Sequence, residues 1–471
     1  RPQSKTQNSK LKTQNYLYVA YTLSLTLKAA NAVQTFQTAR HLRDLAAAEG
    51  ATLTLVVPRW LREPSQFAAE LGPAVQHLPR IPVNKLTRFW KSGALSYVER
   101  SAWSAELLAW LLWRRLTGRG FAALYVRDVV CAYWLARARW LTGAPLIYEV
   151  HDLEQTNLSG AHGAAWARWR RTLDRVTIRR PARLVSLTTT FRDHLAARGL
   201  RAAADLDVIP DAYDDQLYDG QSRAAARATL GLPADAFIVG YAGLTFAYRR
   251  LDLLVAAFAA LRPHWAGPGP LLLVLAGGRP AELAALRTQA AALGVPVVSV
   301  VSRQSSVVSD DAVGSRQYTV GSDEEAGAGG QESLRRQSKI QNPKSKIELV
   351  LPGQVGQAEV VRYLYAADVL VIPDTVTTLT ASPLKLFEYM AAGRPIVLRE
   401  LPALREILHD DGLYFPPGDA AALTAALAQL ARDPALAAHL GAAAAGRAAG
   451  YTYRERARQV LAVLRRVARR P

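Results

Sequence analysis

The stretch Thr380-Ala-Ser-Pro-Leu-Lys-Leu-Phe-Glu-Tyr-Met-Ala-Ala-Gly-Arg-Pro-Ile-Val397 decides how the rest of the chain is read. Just upstream, Asp368-Val-Leu-Val-Ile-Pro373 is a short apolar run, the pattern of a parallel strand buried on both faces. Ser382 reads as an N-cap and Pro383 as the first helical residue, where its missing N–H costs nothing. The helix runs to about Ala391, Gly393 sits at its C-terminal cap, and Pro395-Ile-Val397 opens the next strand. A helix that starts at the carboxyl end of a buried strand turns free N–H groups and the positive end of its dipole toward the crevice there. That is a ready site for a phosphate or diphosphate. Lys385 adds a full charge in the first turn, and Glu388 further along can accept two hydrogen bonds from a ribose diol. The same spacing also fits an ordinary amphipathic helix, with Leu384, Phe387 and Met390 in the core and Lys385 and Glu388 a solvated i,i+3 pair.

Working outward, the pattern of this stretch recurs along the chain. Strands are predicted at Leu17–Tyr21, Thr52–Val57, Ala123–Val126, Pro145–Val150 and Leu184–Leu187, with helical periods between them, the first from about Asn31 to Ala47. Beyond Val208-Ile-Pro-Asp211 the pattern restarts. Strands at Phe237–Gly243, Leu271–Gly277 and Glu348–Gly353 precede the Asp368 run, and Pro395–Leu398 and Leu413–Phe415 follow it. Strands alternating with helices predict an α/β protein with two doubly wound, Rossmann-like domains. The expected division is a first domain over 16–211 and a second over 212–451. A helix over 452–471 is expected to pack back toward the first. Ligands in such sheets bind beyond the carboxyl ends of the strands, where Arg127-Asp128 and His151-Asp152 stand in the first domain. No Gly-x-Gly-x-x-Gly opens a helix and no Walker loop is present, so dinucleotide and ATP readings have no support.

The chain has 471 residues, long enough for two domains with sizeable cores, and a net charge of +19. That balance favours an anionic partner, although an arginine-rich codon bias produces it as well. The single cysteine, Cys131, excludes an internal disulfide and a multi-thiolate zinc site, and the eight histidines show no ligand spacing. No run long enough for a transmembrane helix appears. The polar opening Arg1-Pro-Gln-Ser-Lys-Thr-Gln7 has no secretory pattern, and Arg1 in place of Met leaves an upstream segment open. Residues 3–12 recur at 337–346 with seven of ten positions identical, too short and too distant for a structural repeat. Residues 1–15 are expected to form a disordered tail, and 302–346 a disordered insertion.

The segment Gly240-Tyr-Ala-Gly-Leu-Thr-Phe-Ala-Tyr-Arg-Arg-Leu251 follows a strand and leads into a helix, with Arg249 and Arg250 bringing charge to the crevice. Together with Tyr148-Glu-Val-His-Asp152 and the Ser382 stretch, it resembles the retaining glycosyltransferases of family 4, which have the GT-B fold. The resemblance covers about Leu17–Val300 and Ile347–Leu464. It implies a metal-independent enzyme that needs no cofactor and moves a sugar from a nucleoside diphosphate to an acceptor hydroxyl, in glycolipid or polysaccharide synthesis. Glu388 falls on the family's ribose-binding glutamate, Arg249 on its diphosphate-binding lysine and His151 on the histidine that faces the transferred sugar. Gly243, Gly277, Gly353, Val355, Ser382, Pro383 and Leu384 fall on donor-binding positions, and Lys385 adds charge beside them. Arg127, Asp128 and Asp152 are assigned to the acceptor side. Glu406 falls on a position of structural value. The chain departs from the pattern at three places: Thr380 replaces the first glutamate of the Glu-x7-Glu motif, Leu244 an arginine, and Arg250 a glycine.

The implied partners are a nucleoside-diphosphate sugar, a lipid-linked or saccharide acceptor and an anionic membrane surface, with no nucleic acid. The expected place is the cytoplasm, at the inner face of the membrane. Two stretches pair tryptophan with arginine in the manner of a headgroup interface. These are Trp166 and Trp169 with Arg168, Arg170, Arg171, Arg175 and Arg179, and the segment Lys91–Arg115 with Trp103, Trp110 and Trp113. Core helices account for the same tryptophans. Two further readings are a nucleotide-sugar epimerase and a non-catalytic sugar-nucleotide or membrane-surface binding protein of the same fold.

Overall fold

The computed structural model describes residues 14–22, 25–27, 30–61, 63–81, 93–156, 164–299, 347–375, 377–378, 380 and 382–469. Of the expected tail, residues 1–13 lie outside the described residues, as does the expected insertion over 302–346.

Two compact units account for the chain. The first comprises residues 1–186, 195–209 and 456–471, and the second residues 187–194 and 210–455. The first is built on strands β1 (Asn15–Val19), β2 (Thr52–Arg59), β3 (Val75–Pro79), β4 (Ala123–Val126), β5 (Leu146–Val150), β6 (Arg183–Ser186) and β7 (Leu206–Val208). They form one sheet in the order β3-β2-β1-β4-β5-β6-β7, parallel throughout. The second unit repeats the plan with β8 (Phe237–Ala242), β9 (Leu271–Ala276), β10 (Val297–Ser299), β11 (Ile347–Gly353), β12 (Val369–Ile372), β13 (Ile396–Arg399) and β14 (Leu413–Phe415). Their order is β10-β11-β9-β8-β12-β13-β14, again all parallel.

The apolar runs become strands because both faces of each sheet are covered. In the second unit Ile238, Leu272, Leu370 and Ile396 pack into one core, and their neighbours Val239, Leu273, Val371 and Val397 into the other. Strand side chains alternate between faces, so an uninterrupted apolar run is what a doubly covered strand requires. In the first unit Tyr16, Tyr18, Leu55 and Tyr125 share a core with Val460 and Leu464 of the C-terminal helix Tyr453–Ala468.

Three strands have no counterpart in the sequence reading: β3, β7 and β10. All three are sheet edges, and polar residues interrupt them: Gln76 and His77 in β3, Asp207 in β7 and Ser299 in β10. β1 starts earlier than its predicted Leu17, at Asn15, within the span read as tail. The polar residues before it masked Tyr16, whose ring is buried in the core.

Candidate functional site

At the centre of each sheet the strand order reverses direction, between β1 and β4 and between β8 and β12; the second sheet also turns back at β11, next to its β10 edge. The crevice at such a switch point is where α/β sheets bind ligands. In the second unit three glycine corners meet there. Gly243, just past β8, holds φ +131°, and Gly277, just past β9, holds φ +115°, conformations that L side chains rarely adopt. A Cβ on Gly277 would stand 2.3 Å from the Gly243 carbonyl oxygen. The Gly277 N–H donates to the Gly353 carbonyl (2.7 Å) and the Gly243 N–H to that of Ala276 (2.9 Å). The backbone is thereby fixed around a floor with no side chains on it. Val355, after the third corner, packs half-buried against the core.

The helix opposite these corners runs Leu384–Ala391, one position later than expected. Pro383 is extended (φ −71°, ψ 126°) and is the N-cap rather than the first helical residue. Ser382 is not the cap. Its Oγ accepts the Asp211 N–H at 3.1 Å, so the hydroxyl faces the chain segment that enters this unit. Ser382→Ala is therefore expected to lower the unit's stability by about 1–2 kcal/mol, by leaving a buried N–H without an acceptor. Nucleotide affinity should be unchanged, and urea unfolding beside a titration with a nucleoside diphosphate checks both. Gly393 does close the helix, at φ +64° just past Ala392. Within the helix Tyr389 locks it to β8, its hydroxyl accepting the Ala242 N–H at 2.8 Å.

Lys385 is 8 % exposed, and its ammonium donates to the Tyr241 hydroxyl at 2.6 Å. The ammonium also lies 3.2 Å from where a Gly243 Cβ would stand, so glycine is what admits it to this corner. Burial pushes Lys385 well below the ordinary lysine value, the neighbouring Arg249 charge pushes it further, and Glu388 pulls it back. Glu388, one turn on, is pushed up to about 7 by burial, against the pull of Lys385. Its carboxylate meets no hydrogen-bond donor among the described residues and keeps part of its surface open to solvent. Arg249 lies with its guanidinium 5.0 Å from the Tyr248 ring centroid, its Nε buried and without a partner among the described residues. Arg250 adopts φ +52°, which explains why a glycine suits this position, and pairs with Asp252 instead of reaching the site. Thr380 is buried, its hydroxyl donating to Thr377 Oγ1 at 3.0 Å. Two cations and a carboxylate without a donor thus gather around a glycine floor and a helix start.

The first unit presents a different arrangement. His151 follows β5, with Nε2 2.8 Å from Glu149 Oε1. Arg127 Nε stands 3.2 Å from both that oxygen and the same ring nitrogen. One nitrogen cannot donate and accept at once, and the shorter contact to the carboxylate assigns the proton to Nε2. Glu149 is fully buried. Burial opposes its ionisation, but Arg456, Arg127 and His151 outweigh it and hold the carboxyl well below its usual range. Arg456 Nη2 approaches Glu149 Oε2 at 2.6 Å, and the Tyr125 hydroxyl donates to the same oxygen.

The structure thus brings Gly243, Gly277, Gly353, Arg249, Lys385 and Glu388 together in the second unit, with Pro383 and Leu384 at the helix start. In the first unit it joins Arg127 and His151 through Glu149. Asp128 is occupied locally: Oδ1 caps the helix Val129–Arg137 by accepting the Val130 and Cys131 N–H groups, and Oδ2 pairs with Arg100. Asp152 accepts the Leu153 N–H at 2.8 Å. Glu406 accepts the Thr189 and Thr190 N–H groups and their hydroxyls, capping the helix Thr189–Ala197. Glu149 and Arg456 were not singled out in the sequence. A carboxylate in the middle of the apolar Leu146–Val150 run was the available signal, because a buried charge requires a partner. Among the described residues no group of three or more His, Cys, Asp or Glu side chains could hold a metal ion.

Two family models match the chain: "Glycosyl transferase 4-like domain" over residues 33–212 and "Glycosyl transferases group 1" over residues 318–433. Over these two stretches the chain is similar to the group 1 glycosyltransferases and to their 4-like domain. Relatives of this chain include proteins named D-inositol 3-phosphate glycosyltransferase. The one from Actinosynnema mirum is 30 % identical over 45 % of this chain and 52 % of its own length. The one from Streptomyces avermitilis is 28 % identical over 66 % of this chain and 58 % of its own length. A third, from Saccharomonospora viridis, is 34 % identical over 31 % of this chain and 34 % of its own length. The chain therefore spans about a third to three fifths of these relatives. Among solved structures, sucrose-phosphate synthase from Thermosynechococcus elongatus superposes with a TM-score of 0.65 at 18 % identity, covering 96 % of this chain and 98 % of that one. Anabaena Alr3699/HepE in complex with UDP superposes with a TM-score of 0.63 at 15 % identity, covering 96 % and 100 %. The chain's two seven-stranded parallel sheets are those of the GT-B fold.

Proposed function

We propose that this protein is a glycosyltransferase that binds a nucleoside-diphosphate sugar on its second unit and transfers the sugar, with retention at the anomeric carbon, to an acceptor hydroxyl on a lipid-linked or saccharide substrate. The observation that carries the reading is the Lys385 ammonium, buried against the Gly243 corner beside Arg249 and at the start of the helix Leu384–Ala391. Burying a cation without an anion is costly, and a diphosphate supplies the missing partner. The Anabaena neighbour, solved with UDP and with UDP-glucose, supports a nucleotide donor. Glu388, whose carboxylate lacks a donor among the described residues, suits a ribose diol.

In the transfer the bond between the anomeric carbon and the diphosphate oxygen breaks, and its electron pair leaves on the diphosphate. The acceptor oxygen forms the new bond, and its proton passes to the departing diphosphate. Lys385, Arg249 and the N–H groups of the helix start stabilise the charge that develops, and their effect is greatest because they are fixed in place beforehand. His151, with Nε2 held by Glu149, falls on the position whose histidine faces the transferred sugar in the family the sequence resembles.

Thermal-shift screening against a panel of nucleoside-diphosphate sugars identifies the donor. His151→Ala is expected to lower turnover about 100-fold or more while leaving donor affinity within a factor of about three. A wild-type protein that binds a nucleotide sugar but neither transfers nor hydrolyses it is a binding protein, the reading that Thr380 and Leu244 favour. A protein that binds none of the panel excludes both readings.

A further inference from the structure

The helix Gly93–Leu116 turns an apolar side to solvent as well as to the core. Trp103, Leu107 and Leu111 are buried, with Trp103 edge-on to Tyr21. On the opposite side Val98, Ala102, Ala105, Ala109, Trp113 and Leu116 are all exposed, Val98 by 56 %, Trp113 by 52 % and Leu116 by 77 %. Successive members are three or four residues apart, so they form one strip about 27 Å long at 1.5 Å per residue. An exposed helix face ordinarily carries charge. Of the two acids on this helix Glu99 is buried, leaving Glu106 beside the strip, and burial raises the Glu106 carboxyl above the ordinary value. Its Oε2 is buried and without a partner among the described residues.

The strip ends in cations. Arg114, Arg115 and Arg119 stand at the helix terminus, and Arg115 donates to the carbonyls of Trp140 and Leu141. This contact ties in the short helix Arg139–Thr142, which adds Arg139 and Trp140, the latter 72 % exposed. Between Leu107 and Tyr148 the chain contains one acid, Asp128, which caps a helix and pairs with Arg100. The other tryptophan–arginine helix, Ala164–Arg179, differs. Trp166 and Trp169 pack on Tyr97 and Tyr133, with ring centroids at 4.8 and 5.1 Å, as core helices do.

We propose that this face of the first unit docks on an anionic lipid bilayer, the helix lying in the membrane plane with its strip at the headgroup–acyl boundary and the arginines on lipid phosphates. The charge pattern selects this occupant. A second copy pairing through the same strip would offer the arginines no acid except Glu106, whereas an anionic headgroup layer neutralises all of them. Tryptophan at the charged end suits the interfacial zone. Docking of this kind requires no span, and no helix among the described residues is long and apolar enough to cross a membrane. The proposal does not depend on the nucleotide site.

Co-sedimentation of the full chain with vesicles tests it, using phosphatidylcholine alone and phosphatidylcholine with one third phosphatidylglycerol. The protein should bind the mixed vesicles, ignore the neutral ones and be released as salt is raised. Trp113→Ser with Leu116→Ser should lower the partition coefficient about tenfold or more, and Arg119→Ala with Arg139→Ala should weaken binding to the anionic vesicles alone. Trp140→Ser provides a second apolar variant, and circular dichroism melts confirm that each variant folds. Two outcomes overturn the proposal: equal binding by the Trp113/Leu116 variant and the wild type, or a dimer in sedimentation velocity that the same variant dissolves.

Discussion

Replacing Lys385 by methionine is expected to lower kcat about 100- to 1,000-fold, the loss seen when one fixed stabiliser of a developing anion is removed. Methionine keeps most of the buried stem, so the fold should hold, and the loss reports the ammonium. Its location also explains the departure at Leu244. Tyr241 accepts from Lys385 and donates its own proton to the Leu244 carbonyl, so the ammonium stands against the loop whose Leu244 departs from the family pattern that the sequence resembles. Leu244→Arg should therefore restore at least a tenth of the lost turnover to Lys385→Met, a rescue that a purely structural lysine would not permit.

The same residue predicts a pH dependence. In the free protein Lys385 titrates well below an ordinary lysine, and a bound diphosphate raises its pKa. Below the free-protein value the ammonium is already charged and binding is at full strength. As pH rises through that value each binding event must take up a proton, and affinity falls. On the acid side Glu388, at about 7 in the free protein, must be ionised to accept from a ribose diol, so affinity also falls below about pH 7. Isothermal titration of a nucleoside diphosphate across pH should give a bell-shaped affinity profile. Glu388→Gln should flatten its acid limb, and Lys385→Met its alkaline limb.

Much of the fold was legible because doubly covered parallel strands are apolar runs, and the runs at β8, β9, β12 and β13 stand out against the polar segments between them. The glycine corners were legible for a related reason, since a strand end that admits a ligand or a lysine cannot carry a Cβ. Ser382-Pro383 misleads because serine followed by proline is also what a capped helix start looks like. The choice lay in a tertiary contact, the Asp211 N–H, which local sequence does not contain. The helix Gly93–Leu116 is apolar nearly all round, so periodicity could not tell its buried tryptophan, Trp103, from its exposed one, Trp113. Glu149 meets Arg456 across 307 residues of sequence, and no short-range pattern records that pairing.

That pairing carries the largest expected effect on stability. Arg456→Met should cost the first unit about 3–5 kcal/mol, because it leaves a fully buried carboxylate with one of its two arginines. The Arg456 Nη1 bond to the Ile209 carbonyl (2.9 Å) is lost with it. Glu149→Gln with Arg456→Met should cost less than Arg456→Met alone, since the uncompensated charge is then gone; a double-mutant cycle measures the difference. Because the chain holds two units, hydrogen exchange at the β5 amides is the suitable readout, as it follows the local opening instead of whole-chain unfolding. The pH dependence follows from the depressed carboxyl. In the wild type the stabilisation is present above the unfolded carboxylate value, about 4.3, and is lost as pH falls through the lower folded value. Without Arg456 the folded value rises, so protection at β5 should begin to fail at a higher pH. The His151 ring rests on the same carboxylate, so its spectrum should change when Arg456 is removed. Loss of β5 protection in Arg456→Met with an unchanged His151 ring spectrum would separate the strand's stability from the orientation of the ring.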